Sequence, residues 1–295
     1  MSALVFGRAI SKSLLTLHLF TQNDILTTII PTTLFALVAA PLCSPYRCVH
    51  VVWWIWLHLL HFNVANQIID PAEDGRNKAS RPIPAGYISL RDVVYLRWCL
   101  VPTCLVSSAF YSVQVLSASL AITVLTLWYN EFKVHSHHWF SKNLMTGLGY
   151  ACFQAGATLI ASRDMSRLEP NALLAVLLSI AMFATTLQAQ DFKDQEGDRS
   201  IGRRTLPIAH PSPARVSMFV GLPMWSICLT QVWGMDAFSS VAFVFYSGLV
   251  GLRFMVCKTT QADRLSCKLY SLWFSVAHLL PGYWRYFHEA RMHIS

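Results

Sequence analysis

The stretch NQIIDPAEDGRNKASRP, from Asn66 to Pro82, directly follows the apolar run VVWWIWLHLLHFNVA, residues 51–65. The same arrangement recurs further along the chain, where NALLAVLLSIAMFATTL, residues 171–187, leads into QAQDFKDQEGDRSIGRRTLP, Gln188–Pro207. About 20 predominantly apolar residues are what a helix needs to cross the hydrocarbon core of a bilayer. Each polar cluster is therefore predicted to lie at the membrane surface, at the end of a spanning helix.

The composition places the whole chain in the class of membrane proteins. Of its 295 residues, 54% are hydrophobic and 13% are charged, whereas a soluble domain carries about 25% charged residues. The connections between apolar segments are short, so we expect one all-α domain over residues 1–295. The predicted fold is a polytopic bundle of nine transmembrane helices, at about residues 22–43, 49–69, 92–113, 114–131, 140–161, 171–190, 213–233, 237–256 and 269–287.

The basic residues predict how this bundle is oriented. With nine spans, most of the 23 lysines and arginines fall on the side that also holds both acidic clusters. The positive-inside bias makes this side cytosolic, and the endoplasmic reticulum is the expected membrane if the source is eukaryotic. The net charge of +8 then reflects orientation. We expect the lipid bilayer as a partner, with no nucleic acid and no obligate protein partner.

The second cluster places three carboxylates close together. Asp191, Asp194 and Asp198 stand at i, i+3 and i+7, so on a continuing helix they line one face. They repel one another, they lie at a helix C-terminus where the macrodipole disfavours anions, and they stand near hydrocarbon, where unpaired charge is costly. A cation is therefore expected to compensate them.

The first cluster has the same composition but a less regular backbone. Asn66, Asp70 and Asp74 stand at i, i+4 and i+8, whereas Pro71 disfavours a helical conformation at Asp70. Asp70 also fits the N-cap of a short new helix with Pro71 at its first position. For Asp70, the cap and the ligand are equally good interpretations.

Carboxylates interleaved with basic residues favour a site for Mg²⁺ and a diphosphate. Mg²⁺ typically binds one or two carboxylates together with waters and substrate phosphates, and guanidinium groups clamp phosphate oxygens. Attraction to anionic lipid would explain the basic residues taken singly, but not the aspartates. The predicted diphosphate ligands are Asn66, Lys78, Arg81, Lys193, Arg199 and Arg204.

A diphosphate at the membrane surface with an apolar bundle behind it implies a lipid-like substrate whose tail lies between helices. Aromatic side chains in such a bundle are individually more often interface anchors or packing residues. Together, they can flank a carbocation, because ring faces attract desolvated cations. The predicted residues of this prenyl pocket are Phe62, Trp128, Tyr129, Asn143 and Tyr150.

At this point the motifs resemble those of the UbiA superfamily of intramembrane prenyltransferases. The family pattern NDxxDxxxD is matched by Asn66, Asp70 and Asp74, and the pattern KDxxDxxGD by Asp191, Asp194, Gly197 and Asp198. The resemblance implies Mg²⁺-dependent activation of an isoprenyl diphosphate. It also implies a role for each motif residue, in which basic residues hold the diphosphate and the metal is held by Asp70, Asp74, Asp191, Asp194 and Asp198.

Three departures from the family pattern are informative. Gln67 replaces an acidic residue, Gln190 replaces the lysine that opens the second motif, and Thr186 stands where many members have tyrosine. This combination resembles the fungal branch with UbiA-type terpene cyclases, which implies cyclisation of a farnesyl-type diphosphate.

Two alternatives remain at the level of the sequence. The first is transfer of the prenyl group to an aromatic or other acceptor, and the more remote one is an ion-coupled transporter. An acceptor would need a polar pocket beside the diphosphate. The residues that could provide it are Asn63, Asn130, Asn143, Gln154 and Gln188.

Overall fold

Helices account for all the regular secondary structure in the part of the chain that the structure describes. The structure is a computed structural model and describes residues 3–69, 71, 74–75, 79–132, 138–200 and 202–289, with side chains from residue 11 to 288. The α-helices are α1 Ala3–Thr21, α2 Ile30–Ala39, α3 Tyr46–Ile69, α4 Leu90–Ala109, α5 Val113–Glu131, α6 Trp139–Ala161, α7 Pro170–Thr186, α8 Gln195–Ser200, α9 Leu206–Ala209, α10 Pro211–Val232, α11 Ala237–Val256 and α12 Thr260–Trp284.

Three segments depart from α-helical geometry. One is the π-helical turn at Arg285–Glu289 that follows α12, and the other two lie beside the site described below. The chain enters α2 through a 3₁₀ turn at Gln22–Asp24 and a π-helical turn at Ile25–Ile29. It leaves α7 through a 3₁₀ segment at Leu187–Lys193. Such changes of helix type often mark functional positions.

The all-helical prediction is confirmed, and each of the nine predicted spans overlaps a helical segment. Within the described residues, five helices are long and apolar enough to cross a membrane. These are Tyr46–Ile69, Val113–Glu131, Trp139–Ala161, Pro170–Lys193 and Ala237–Val256. The count of nine spans stays a prediction, since α2 has only 10 residues and α12 begins with charged turns.

The outside of the bundle is apolar. Phe110, Phe238 and Phe245 expose 85%, 84% and 66% of their surface. Many further large apolar side chains are exposed along the helices, and large exposed apolar surface is rare in soluble monomers and expected where a protein faces lipid. The described surface therefore agrees with the membrane class that the composition predicts.

Helix α6 lies at the centre and packs against α2, α3, α5 and α7. Its approach to α7 depends on Gly147, where an added Cβ would lie 3.0 Å from the Phe183 Cβ and 3.1 Å from the Ile180 carbonyl oxygen. Helix α12 packs against α2 and against the Leu187–Lys193 segment. This arrangement surrounds one end of the bundle interior with α2, α6, α7 and α12.

Candidate active site

The second acidic cluster lies on an irregular segment. The α-helix does not continue through the cluster as predicted, because the chain is 3₁₀ at Leu187–Lys193, turns at Asp194 and resumes as α8. Asp194 and Asp198 nevertheless lie close enough to Asp191 to repel its charge. The three carboxylates are thus brought together by a break in the helix.

This irregular segment is held by a buried anchor. Phe192 is only 2% exposed, and the Arg215 guanidinium lies over its ring at 4.7 Å. Arg215 itself donates to both carboxylate oxygens of Asp263 on α12, at 3.0 and 2.9 Å. A bidentate pair fixes geometry as well as adding energy, so the segment that carries the carboxylates is tied to α10 and α12.

Two cations partly neutralise the second cluster. Lys142 on α6 donates to Asp191 Oδ1, and Arg203 Nη1 lies 3.5 Å from Asp198 Oδ1. Burial raises the pKa of the Asp198 carboxyl, and the Asp194 charge raises it further, against the effect of Arg203 and Lys142. The cluster therefore holds more negative charge than its protein partners compensate.

Lys142 was not among the predicted site residues. It pairs with the residue next to Gln190, where the resemblance leads one to expect a lysine. Thr186 shows the same kind of substitution, since its hydroxyl lies 2.9 Å from the Tyr270 hydroxyl on α12. The amine and the phenol that the second motif lacks are thus supplied by other helices.

The first cluster is described only in part. Asp70 and Lys78 lie outside the described residues. Asp74 is 9% exposed, and its two oxygens accept hydrogen bonds from Arg81 Nη1 at 2.7 and 2.6 Å. Asn66 donates to Asn130 Oδ1 at 3.1 Å.

Helix α5 connects the two clusters. The Phe62 and Tyr129 rings lie 5.9 Å apart, and Tyr129 is close enough to Asp191 and Arg203 to interact with their charges. With the contact between Asn66 and its partner on α5, these interactions bring the ends of α3, α5 and α7 to one end of the bundle. That all five aspartates surround one ion stays a prediction.

The remaining predicted phosphate ligands differ in their surroundings. Arg199 and Arg204 are exposed, and Arg199 donates to Gln195 at 3.2 Å. Lys193 is half-buried and acts electrostatically on Cys267 of α12. Among the described arginines near the second cluster, Arg203 is the one paired with a cluster carboxylate.

The described residues fit a divalent cation, although they do not form a complete site. Among them, no three His, Cys, Asp or Glu side chains converge as a metal-binding group. However, Asp191 Oδ2 is buried without a hydrogen-bond partner, and its carboxylate is repelled by two others. Carboxylate oxygens are the ligands that Mg²⁺ prefers, so the donor set is chemically suited to it.

A cavity of about 70 Å³ lies between α2, α6, α7 and α12, and its lining does not include Asp191, Asp194 or Asp198. Gln190, the residue before Asp191, forms part of its lining, so the cavity and the carboxylates are adjacent along the chain. The lining residues are Leu26, Thr27, Pro31, Thr32, Tyr150, Gln154, Phe183, Gln190, Tyr270, Ser271, Phe274, Ser275 and His278.

Aromatic rings form the cavity wall. Phe183 stacks on Tyr150 at 4.5 Å and meets Phe274 edge-on at 4.6 Å, and Phe274 lies 4.2 Å from the His278 ring. Two polar side chains of the wall are bonded to the protein. The Tyr150 hydroxyl lies 2.8 Å from the Thr28 hydroxyl, and His278 Nε2 lies 2.8 Å from the Ser179 hydroxyl.

Of the five predicted prenyl-pocket residues, Tyr150 lines this cavity. Phe62 and Tyr129 pack on each other between the clusters. Trp128 is 51% exposed on the outside of α5. Asn143 is buried and donates to Gln188 at 3.2 Å. The sequence analysis missed the residues that α12 contributes. Tyr270, Phe274 and His278 stand at i, i+4 and i+8, which is the signal of a shared helix face.

Known proteins resemble this chain over about two thirds to nearly all of its length. Fumagillin beta-trans-bergamotene synthase of Aspergillus fumigatus is 31% identical over 288 residues, covering 94% of this chain and 95% of that protein. Diterpene cyclase of Hericium erinaceus is 29% identical over 196 residues, covering 64% and 61%.

Solved structures share the fold. A structure concerning digeranylgeranylglyceryl phosphate synthase in membranes matches with a TM-score of 0.67 at 18% identity, over 91% of this chain and 99% of that one. A UbiA homologue from Archaeoglobus fulgidus, bound to GPP and Mg²⁺, matches with a TM-score of 0.66 at 15% identity, over 90% and 99%. The model of the UbiA prenyltransferase family matches residues 28–276, and the chain therefore belongs to this family of membrane enzymes.

Proposed function

We propose that the protein is a Mg²⁺-dependent terpene cyclase that ionises an isoprenyl diphosphate, with farnesyl diphosphate as its substrate. The observation that carries this proposal is the aromatic cavity, whose lining reaches Gln190, the residue before the first carboxylate of the cluster. Its wall presents ring faces, while the hydroxyl and imidazole groups behind them are bonded to the protein. Such a wall gives a carbocation few groups to react with. The cavity's volume of about 70 Å³ is smaller than that of a C15 chain, so the proposal requires the surrounding helices to move apart when the substrate binds.

The acidic end would hold the diphosphate through the metal. We assign the metal ligands to Asp70, Asp74, Asp191, Asp194 and Asp198, and Mg²⁺, when bound, would stabilise the negative charge of the departing diphosphate. Lys142, Arg81 and Arg203 already lie against these carboxylates. They would bind the phosphate oxygens directly.

The reaction would then proceed within the substrate. The C–O bond breaks, and its electron pair leaves with the diphosphate. A double bond of the same chain attacks the allylic cation, and a ring forms. A carbon next to the new cation then loses a proton to the diphosphate. The products are a cyclic hydrocarbon and protonated diphosphate. Each aromatic face near the cation contributes about 2 kcal/mol when desolvated.

Prenyl transfer to an acceptor is the second candidate, and the polar side chains bear on it. Asn63 donates to the Phe20 carbonyl and to Asp24, and Asn130 is bonded to Thr126 and Asn66. Asn143 and Gln188 bond to each other at 3.2 Å. Gln154 is the remaining amide that could bind an acceptor. Hydrogen bonds thus occupy Asn63 and Asn130, whereas Asn143 Oδ1 and Gln154 Oε1 have no partner in the described residues. An added acceptor is therefore part of the test below.

The test is to incubate detergent-purified protein with Mg²⁺ and farnesyl diphosphate alone and to analyse the organic extract by gas chromatography and mass spectrometry. A cyclic C15 product that is lost in Asp194→Ala and in excess EDTA supports the proposal. If the same preparation forms no such product and prenylates an added phenol, the protein is a transferase.

We also propose that nine segments span the membrane and that the acidic end faces the cytosol of the endoplasmic reticulum. Cys43 follows α2 and Cys257 follows α11, so this topology places them on opposite sides. Single-cysteine proteins in sealed microsomes would be treated with a membrane-impermeant maleimide. Labelling of Cys257, with protection of Cys43, is expected, and the reverse pattern would invert the orientation.

A further inference from the structure

Gln154 is the exception among the polar groups of the cavity wall. It lies on α6, four residues after Tyr150, and is therefore one helical turn, about 6 Å, further from the acidic end. Its side chain is 2% exposed and lines the cavity. Its Oε1 atom has no hydrogen-bond partner in the described part of the chain.

Other polar side chains of the cavity wall differ from Gln154 in this respect. Both ring nitrogens of His278 are bonded, to Ser179 and to the Phe274 carbonyl, and Ser271 and Ser275 donate to backbone carbonyls of α12. Among the cavity-lining residues, Gln154 alone contributes a buried side-chain acceptor without a partner. A buried acceptor in this state carries the full cost of its lost hydration.

A carbonyl oxygen among aromatic rings is suited to one kind of ligand. It is the negative end of a dipole, and in a site that excludes water its attraction for positive charge is strong. Because the amide is neutral, it does not form an ion pair that would close the cavity. The ring faces next to it attract cations as well. The surroundings of Gln154 therefore match a carbocation better than a neutral alkene.

We infer that Gln154 Oε1 accepts the positive charge of the carbocation formed in the cavity and thereby determines at which carbon the reaction ends. This inference rests on the proposed function. It assigns product specificity to a residue on α6 that stands outside both acidic motifs, one turn deeper than the aromatic ring of Tyr150.

The test compares Gln154→Leu and Gln154→Met with Thr158→Val. Both Gln154 variants remove the dipole at similar side-chain length, and methionine is the second choice in case the branched side chain disturbs packing. Thr158 is the matched control, since its hydroxyl is also buried without a partner, one turn further along α6, and does not line the cavity.

The probe is farnesyldimethylamine, whose protonated nitrogen mimics the carbocation, in the presence of Mg²⁺ and inorganic diphosphate. Titration calorimetry is expected to show about tenfold or more weaker binding to the Gln154 variants, because a hydrogen bond to a charged group is lost. Thr158→Val should bind within about twofold of the wild type. With farnesyl diphosphate, the Gln154 variants should form more acyclic and less cyclised products.

The two readouts separate the inference from the proposed function. Wild-type binding of the amine in both Gln154 variants, or an unchanged product distribution, would overturn the role of Gln154 while leaving the cyclase intact. A wild-type protein that only prenylates an acceptor would overturn the cyclase and with it the assignment of product specificity. The amine titration would then still report whether Gln154 faces the cation.

Discussion

His58 and His278 form the same pair of hydrogen bonds in two different parts of the bundle. In each, Nδ1 donates to the backbone carbonyl four residues earlier, at 2.8 Å, and Nε2 bonds to a serine hydroxyl on a neighbouring helix. For His58 that serine is Ser119, at 2.7 Å, and for His278 it is Ser179, at 2.8 Å.

What surrounds the two imidazoles differs. The Trp54 ring lies 4.0 Å from the His58 ring and fills the space above Gly156, where an added Cβ would lie 2.3 Å from a ring carbon. Around His278, Phe274 and Phe183 leave a cavity open. Both regions therefore share a histidine–serine hydrogen bond between helices. The reaction is expected in the region of His278, because there the packing leaves a cavity, and this cavity reaches the residue next to the acidic cluster.

The comparison predicts that substitutions on the cavity side change turnover, whereas substitutions on the packed side change stability. The largest effect is expected for Asp194→Ala, which removes a predicted metal ligand. Turnover should fall by at least about 100-fold, and the protein should remain folded because this residue is exposed. Diphosphate release and thermal unfolding would be measured together.

The matched acidic control is Asp236→Ala. Asp236 caps α11 by accepting from the Ser239 backbone N–H at 3.0 Å, and it lies outside both acidic motifs. This change should lower stability slightly and leave turnover intact. Near-normal turnover of a correctly inserted Asp194→Ala variant would contradict the proposal that the carboxylate cluster binds the catalytic metal.

Two buried cations provide the next comparison. Lys142→Gln keeps a donor for Asp191 but loses the charge, so turnover should fall about 10- to 100-fold. Arg97 on α4 pairs with the half-exposed Glu131 at 2.7 Å, and neither residue belongs to the acidic motifs or lines the cavity. Arg97→Gln should cost about 1 kcal/mol of stability and leave turnover unchanged. Steady-state kinetics of both variants measure this difference in turnover. Equal losses of turnover would contradict the prediction that Lys142 acts in the reaction and Arg97 only in stability.

The contacts that Lys142 and Tyr270 make also show how much of the site the sequence can predict. Helix positions follow from hydropathy along the chain, which is local, and the acidic motifs are read from spacing. Lys142 pairs with Asp191 across 49 residues, and Tyr270 meets Thr186 across 84. No local pattern encodes either contact, because both depend on how helices pack. The aromatic face of α12 was detectable from its spacing, but its direction in the bundle was not.

Packing around Trp54 gives a smaller and purely structural prediction. Gly156→Ala should cost about 1–3 kcal/mol, because the Trp54 ring is fully buried and hydrogen-bonded to Ser108, so it cannot move freely. Gly149→Ala on the same helix meets no atom within 4 Å and should stabilise the protein by up to about 1 kcal/mol. Chemical denaturation of both variants measures the difference in their free energies of unfolding. Similar free energies would mean that the Trp54 ring shifts to accommodate the added methyl group.

The two histidines themselves give the most direct test, and among the cavity-side substitutions His278→Phe has the smallest expected effect on the reaction. His58→Phe and His278→Phe each keep a ring and leave a serine hydroxyl without its partner, so each should lose about 1–3 kcal/mol of stability. Only the second substitution changes the cavity wall, and it replaces an imidazole with a ring that attracts cations more strongly. The product distribution from farnesyl diphosphate should therefore shift in His278→Phe alone. An equal shift in His58→Phe would show that the packed region also shapes the reaction, because strain there would then reach the cavity through α6.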